Sequence, residues 1–159
     1  MQQSRALDID GQVGAEEDLG HHCDPRGYQV GHPNEDLVRE GFAAFGRGDM
    51  DALRKQIMTD DVRWHNPGRG PISGDYEGAE QVLQYFARVF ELTGGTFSLE
   101  LHDVLANDEH AVALVTVRGE RAGRQLADKE VLTYHIRDGK ISEVWVHTTD
   151  LYAADEFFS

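Results

Sequence analysis

The amino-acid sequence predicts an α+β fold in which three N-terminal helices pack on one face of a curved antiparallel sheet. Apolar residues recur with helical spacing up to about residue 92. From residue 97 onward they alternate with polar residues, which is typical of strands with one buried face. Short turn sequences separate the alternating segments. Neighbouring strands are therefore expected to pair as a meander whose apolar face the helices cover.

Three helices are expected in the first part of the domain. Asn34 is expected to be the N-cap of the first helix, because Glu35 and Asp36 then lie in its first turn. Gly46 and Gly48 are expected to end this helix. A second, short helix follows, and a third over residues 79–92 is the most regular, because its apolar residues recur at intervals of three and four.

The remaining segments are expected to be extended or irregular. A brief extended piece covers residues 62–65, and the glycine-rich segment 68–78 is expected to be neither helix nor strand. The later strands are expected at residues 97–101, 111–121, 126–136 and 140–150. Asp138-Gly139 is the strongest hairpin signal. Residues 151–158 are expected to form a short helix or an ordered tail.

Composition limits the classes of function. Residues 1–32 are acidic and poor in large apolar residues, which predicts a weakly ordered tail, and residues 33–159 form the domain. Fifteen Lys and Arg against 29 Asp and Glu give a net charge of −14, which argues against nucleic-acid and membrane partners. The single cysteine, Cys23, excludes internal disulfides and multi-cysteine metal sites. With no signal sequence and no apolar run of roughly 20 residues, a cytoplasmic protein is expected.

Several short motifs punctuate the domain. They are Gly-Asp (residues 48–49), Thr-Asp-Asp-Val (59–62), Trp-His-Asn-Pro-Gly (64–68), Ser-Gly-Asp-Tyr-Glu-Gly (73–78), Arg-Asp-Gly-Lys-Ile-Ser-Glu-Val-Trp (137–145) and Asp150. In this order they resemble the SnoaL-like polyketide cyclase group. That group belongs to the superfamily named after nuclear transport factor two, which also holds ketosteroid isomerase and limonene epoxide hydrolase. The resemblance covers roughly residues 34–151.

The resemblance implies a cone-shaped α+β barrel with an internal pocket, lined by the first strand, the long helix and the inner face of the sheet. It implies an enzyme that needs no cofactor and performs acid–base chemistry on a small apolar organic molecule, by cyclisation, isomerisation, hydration or dehydration. It also implies a homodimer. Because one fold hosts many functions, the alternative is a ligand-binding or dimerisation module without chemistry.

The acids of ketosteroid isomerase have no counterparts in this sequence. Asn66 stands where that enzyme has its general base, and an amide cannot abstract a proton near neutral pH. Its hydrogen-bonding tyrosine falls near Gly41, and its protonated aspartate falls near Leu132. Steroid isomerisation by that mechanism is therefore not expected.

The predicted catalytic residues are Glu120, His147 and Asp150. Arg118 and Glu120 stand two residues apart and share a strand face, like the arginine–aspartate pair of limonene epoxide hydrolase. That enzyme's opposing carboxylate falls near Val146 or His147, and the imidazole of His147 titrates near neutral pH. A slip of one residue would exchange the two faces, and the alternative is that Arg118 and Glu120 form an exposed ion pair. Asp150 is either a base or the cap of the terminal helix.

The predicted ligand-binding residues are Trp64, His65, Asn66, Arg118, Tyr134 and His135. Trp64 and Tyr134 have large apolar rings with one polar atom each, which suits a flat organic ligand. The alternative is that they are core aromatics, the interpretation preferred for Trp145. His65 and His135 are alternatively structural histidines, each held by a hydrogen bond. No metal is expected, because the histidine spacings are not those of zinc ligands.

Overall fold

The computed structural model describes residues 31–159, which form a six-stranded sheet covered by helices. The helices are α1 (Pro33–Arg47), α2 (Met50–Ala52), α3 (Ala79–Leu92) and α4 (Leu151–Phe158), and a π-helical turn (Leu53–Ile57) follows α2. The strands are β1 (Met58–Asn66), β2 (Gly74–Glu77), β3 (Ser98–Ala106), β4 (His110–Arg121), β5 (Arg124–Arg137) and β6 (Lys140–Thr148). Their spatial order is β2-β1-β6-β5-β4-β3. Within residues 31–159, no helix is long and apolar enough to cross a membrane.

The α+β prediction is confirmed, with one strand added. β3 to β6 form the antiparallel meander, and the Asp138-Gly139 turn has the positive φ angles, 53° and 70°, of a tight hairpin. β1 runs parallel to β6. The prediction that residues 68–78 contain no strand is wrong. Within this segment β2 pairs with β1 and places Tyr76 opposite Trp64. A four-residue edge strand has too few residues to show an alternating pattern, so only its pairing makes it recognisable.

The first helix begins with a different cap from the one predicted. The Nδ1 atom of His32 accepts a hydrogen bond from the Asn34 amide at 3.1 Å, so His32 is the N-cap. Asn34 is buried, and its side-chain amide donates to the carbonyl oxygens of Asn107 (2.8 Å) and Asp108 (3.1 Å). Of the two glycines predicted to end the helix, Gly48 does so in the left-handed conformation, whereas Gly46 lies within the helix. The predicted tail, residues 1–32, lies outside the described residues except for its last two positions.

Strand alternation divides the sheet into an inner face, which packs against the helices, and an outer face. Leu132 and Tyr134 of β5 point inward, and Leu132 lies opposite Val146, which fixes the inward-facing set of β6 as well. His135 and His147 directly follow inward-facing residues and therefore lie on the outer face. The largest fully buried side chains are Val38, Val62, Val82, Val115, Val117 and Val144.

The sheet is bent at irregular positions of its ladders. Register shifts occur between Leu101 and Asp103 of β3 and between His135 and Ile136 of β5. Such irregularities bend a strand and increase its twist. The curved inner face leaves space between the sheet and the helices, and that space is where a functional site can form.

Candidate functional site

A cavity lies between the inner face of the sheet and helices α1 and α3. This apolar pocket is walled mainly by aliphatic and aromatic side chains, and Glu130 is the only carboxyl group among the lining residues that the structure describes. A second, more polar space under α4, here called the α4 pocket, shares five of these residues: Tyr85, Val89, Phe97, Glu130 and Val146. Glu130 therefore stands where the two pockets meet.

Aromatic rings form one wall of the apolar pocket. Trp64 meets Phe86 edge-on with ring centroids 5.1 Å apart, and it lies 5.9 Å from Tyr85. The Nε1 atom of Trp64 is buried and has no hydrogen-bond partner among the described residues. An unpaired donor in a buried position is energetically costly. A ligand with a hydrogen-bond acceptor at this position would give the Trp64 N–H group a partner. Trp64 and Tyr134 line the pocket, as expected from the sequence. That they bind a ligand stays a prediction.

Glu130 carries the main electrostatic feature of the cavity. Its burial raises the pKa of the carboxyl group, and the nearby negative charge of Asp128 raises it further, to about 7. No lysine or arginine lines either pocket within residues 31–159. The carboxyl group consequently exchanges its proton close to neutral pH, which is the property required of a general acid or base.

Two tyrosines and one amide surround this carboxyl group. Tyr85 donates a hydrogen bond from its hydroxyl group to Asn66 Oδ1 at 3.3 Å, and Asn66 Nδ2 donates to the carbonyl oxygen of Ile72 at 3.0 Å. Burial raises the pKa of Tyr85 and that of Tyr134, so both phenols stay protonated. Asn66 lines the α4 pocket and is held in place by these two bonds. It can orient a ligand but cannot titrate.

The helix α4 covers one end of the cavity and is tied to the loop after β1. Both carboxylate oxygens of Asp155 accept from the amide of Arg69, at 2.9 and 3.0 Å, and one also accepts from the amide of Gly70 at 3.0 Å. Gly68, with φ of 109°, lets the loop approach, since a Cβ atom there would collide with this carboxylate. Hydrogen bonds as well as packing therefore hold α4 over the α4 pocket.

The predicted pair of Glu120 and His147 is not formed. Both side chains lie on the outer face and are exposed, and neither lines a pocket with Glu130. His147 Nε2 lies 3.2 Å from the hydroxyl group of Thr133, and the Glu120 carboxylate accepts a hydrogen bond from the side-chain amide of Gln125 at 3.5 Å. The pairing of β5 with β6 decides this outcome, because a side chain one position away from an inward-facing residue must face outward.

Arg118 and Asp150 also have partners outside the cavity. Arg118 shares the outer face with Glu120, as its spacing predicted, but its ion pair is with Glu100 at 2.6 Å. Asp150 accepts from the amide of Ala153 at 3.0 Å and is the N-cap of α4, which was one of its two predicted roles.

His65, predicted to bind ligand, lies on the outer face between two carboxylates. Its Nδ1 atom is 2.7 Å from Asp75 Oδ1, and its Nε2 atom is 2.9 Å from Glu143 Oε1. Burial lowers the pKa of His65, but the two carboxylates outweigh this effect, so that the pKa is raised. Arg63 donates to the other oxygen of the buried Glu143 at 2.9 Å. His65 thus belongs to an ion-pair cluster and not to the cavity.

His135 and Trp145 complete this outer-face cluster. His135 Nδ1 lies 3.4 Å from Glu143 Oε2, and its ring meets Trp145 with centroids 4.8 Å apart. Trp145 also stacks on His65 at 5.2 Å. The expectation that Trp145 is a core residue is corrected accordingly: it packs between two histidine rings on the outer face. Within residues 31–159, no group of three or more His, Cys, Asp or Glu side chains is arranged to hold a metal ion.

Glu130 and Tyr85 are the polar cavity residues that were not predicted. A signal for Glu130 exists in the strand pattern, since Glu130, Leu132 and Tyr134 alternate and must share a face. Tyr85 follows Val82 by three residues, which places it on the buried face of α3. Neither pattern shows which face of the sheet encloses a cavity, and that knowledge is needed to select these residues.

Comparisons with known proteins agree with this architecture. The chain is 32% identical over 125 residues to an uncharacterized protein of Mycobacterium tuberculosis, covering 78% of this chain and 95% of that protein. It is 35% identical to Bal32a from a soil-derived mobile gene cassette, with a TM-score of 0.77, covering 80% of this chain and 97% of that one. A nuclear transport factor 2-like protein of Burkholderia pseudomallei, 23% identical, has the same fold, with a TM-score of 0.72 over 80% of this chain and 98% of that one. Finally, the model of the SnoaL-like domain matches residues 38–144. The chain therefore belongs to the SnoaL-like domain family.

Proposed function

We propose that the apolar pocket binds a small, largely apolar organic molecule and that Glu130 performs acid–base chemistry on it without a cofactor. The observation that carries this proposal is a carboxyl group with a pKa of about 7 facing an aromatic cavity. Near pH 7 both of its forms are populated, so it can accept a proton from a substrate and return it to another atom. Cyclisation, isomerisation, hydration and dehydration each require such a transfer.

The lining residues suggest how the ligand is held. Trp64, Tyr85 and Tyr134 offer flat rings for a planar or alicyclic molecule, and the unpaired Nε1–H of Trp64 offers one hydrogen bond to an acceptor oxygen. A carboxylate ligand would be disfavoured, because no cationic side chain lines either pocket within residues 31–159 and Glu130 itself becomes negative. We therefore expect an uncharged substrate such as a ketone or an enol.

Exchange of carbon-bound protons tests the chemistry. In D2O, 2-tetralone serves as the probe, and NMR measures loss of its α-proton signals with and without the protein. The wild-type chain should accelerate this exchange. Glu130→Gln should lower the rate of protein-catalysed exchange by about 10²–10⁴-fold, because the amide cannot transfer the proton. Glu109→Gln, the same change at an exposed turn, is the matched control and should leave the rate unchanged.

The same assay compares this assignment with the residues predicted from the sequence. His147→Gln and Glu120→Gln change side chains that lie outside the pockets. Loss of exchange in either of these variants, with exchange retained in Glu130→Gln, would overturn the proposal.

A non-catalytic binding module is the second candidate. It is favoured by one observation: none of the three predicted catalytic residues, Glu120, His147 and Asp150, lines the apolar pocket. If 2-tetralone shifts the NMR signals of pocket residues such as Leu132 and Val146 but its protons do not exchange, the chain binds without chemistry.

We also propose that two chains associate through the outer face of the sheet. Leu114 is 40% exposed on this face and Leu105 is 57% exposed, which leaves apolar surface that a second copy could bury. Homodimerisation is also what the sequence resemblance implies. Light scattering at micromolar concentration should report a dimer, and Leu114→Arg should shift it towards monomer. A monomeric wild-type chain would contradict this proposal.

A further inference from the structure

A second carboxyl group lies beside Glu130 on β5. Asp128 precedes Glu130 by two residues, so both side chains stand on the inner face, about 7 Å apart along the strand. The ladder with β4 agrees, because Asp128 lies opposite Val117 and Glu130 lies opposite Val115, both of which are buried. Lys129, between the two acids, is exposed and belongs to the outer-facing set.

Neutral donors hold the Asp128 carboxylate. The hydroxyl groups of Thr148 and Thr149 each donate to one of its oxygens, and the amide of Lys129 donates to Oδ1 at 2.8 Å. The backbone amide of Asp150 adds a further bond. Burial raises the pKa of Asp128, but these hydrogen bonds outweigh burial and lower it, so that the group is an anion at neutral pH.

The chemistry of these donors matters for Glu130. A guanidinium partner would stabilise Asp128 and also cancel its charge, whereas hydroxyl and amide groups stabilise the anion without neutralising it. The other titratable groups facing Glu130 are Tyr85 from α3, Tyr134 from β5 and Asp155 from α4. Both phenols are neutral, and Asp155 is engaged by two loop amides. No lysine or arginine stands among the described lining residues of either pocket, so none of them neutralises the effect of the Asp128 charge on Glu130.

We propose that Asp128 is a positioning residue whose fixed negative charge stabilises the protonated form of the Glu130 carboxyl group, so that this form is present beside the ionised one near neutral pH. In this form Glu130 is a hydrogen-bond donor, so the ligand is expected to present a carbonyl or hydroxyl oxygen to it. The role in a reaction rests on the proposed function, whereas the effect of Asp128 on Glu130 is a property of the free protein. It can be measured without any substrate.

The test is an NMR titration of the free protein labelled with ¹³C at the glutamate carboxyl groups. The Glu130 signal is assigned by its absence in Glu130→Gln. Asp128→Asn removes the charge and keeps the shape, and it should lower the pKa of Glu130 by roughly 0.5 to 1.5 units, as expected for one charge about 7 Å away in a partly buried site. Glu109→Gln removes an exposed charge and should leave the titration of Glu130 unchanged. If Asp128→Asn does not give a dispersed amide spectrum, Asp128→Ser, which can still bond the threonines, replaces it.

An unchanged or raised pKa of Glu130 in a folded Asp128 variant would overturn this proposal. Its failure is distinct from failure of the proposed function, which is judged by 2-tetralone exchange in the wild-type chain. Where both hold, the pH dependence of that exchange should shift downward in Asp128→Asn by the same amount as the titration. A merely structural role of Asp128 would lower the activity and leave its pH midpoint in place.

Discussion

Replacing Glu130 by glutamine should change the pH dependence of folding stability. In the folded chain the pKa of Glu130 is raised from 4.5 to about 7, mainly by burial. Between these two pH values the folded state keeps the proton while the unfolded state releases it, so stability falls as the pH rises through this range. The difference of 7 − 4.5 units corresponds to about 3 kcal/mol, since one unit is worth about 1.4 kcal/mol. Glutamine does not titrate and resembles the protonated acid.

Urea unfolding followed by circular dichroism, at one protein concentration and at several pH values from 4.5 to 8, measures this effect. The stability of Glu130→Gln relative to the wild-type chain should increase by about 3 kcal/mol across the series. Subtracting the two curves removes the contributions of the other titrating groups, which are common to both chains. Glu109→Gln controls for the loss of one carboxylate far from the cavity. A stability difference between Glu130→Gln and wild type that stays constant with pH would refute the reasoning, because it would mean that Glu130 ionises alike in both states.

Three further predictions concern other parts of the chain. Asp155→Ala leaves the amides that hold the loop unpaired, so it should destabilise the fold by about 1–3 kcal/mol and accelerate hydrogen exchange in α4; unchanged exchange would contradict the proposed closure. The pKa of His65 is raised in the folded chain, so its contribution to stability is present below its unfolded pKa of 6.5 and is lost as the pH rises through the folded pKa. The stability of wild type relative to His65→Gln should thus fall between pH 6 and pH 8 in urea unfolding, and a rise would show the opposite coupling. Deleting residues 1–30 should lower the melting temperature by a few degrees at most in calorimetry, whereas loss of folding would show that the tail is a structural arm.

The sequence by itself determined the helices α1 and α3, the four strands β3 to β6 and their order, but not the short edge strand β2. Local patterns carry that information: the spacing of Val82, Phe86 and Val89 defines α3, and the Asp138-Gly139 turn joins β5 to β6. The motifs around residues 64–68 and 137–145 were sufficient to indicate the family. These features depend on neighbours within a few positions along the chain, so they can be recognised without knowledge of the fold.

Only the tertiary structure decided which side chains share the cavity. Strand alternation places Arg118 and Glu120 on one face of β4, and Glu130 and Tyr134 on one face of β5. It does not show which of these faces is covered by the helices. That choice depends on the register between strands far apart in sequence, and it placed His147 outside. The pKa of Glu130 likewise depends on burial by α1, α3 and β6 and on the charge of its neighbour on β5. Desolvation is a sum over all surrounding atoms, so it arises only when the distant segments that provide those atoms have packed together.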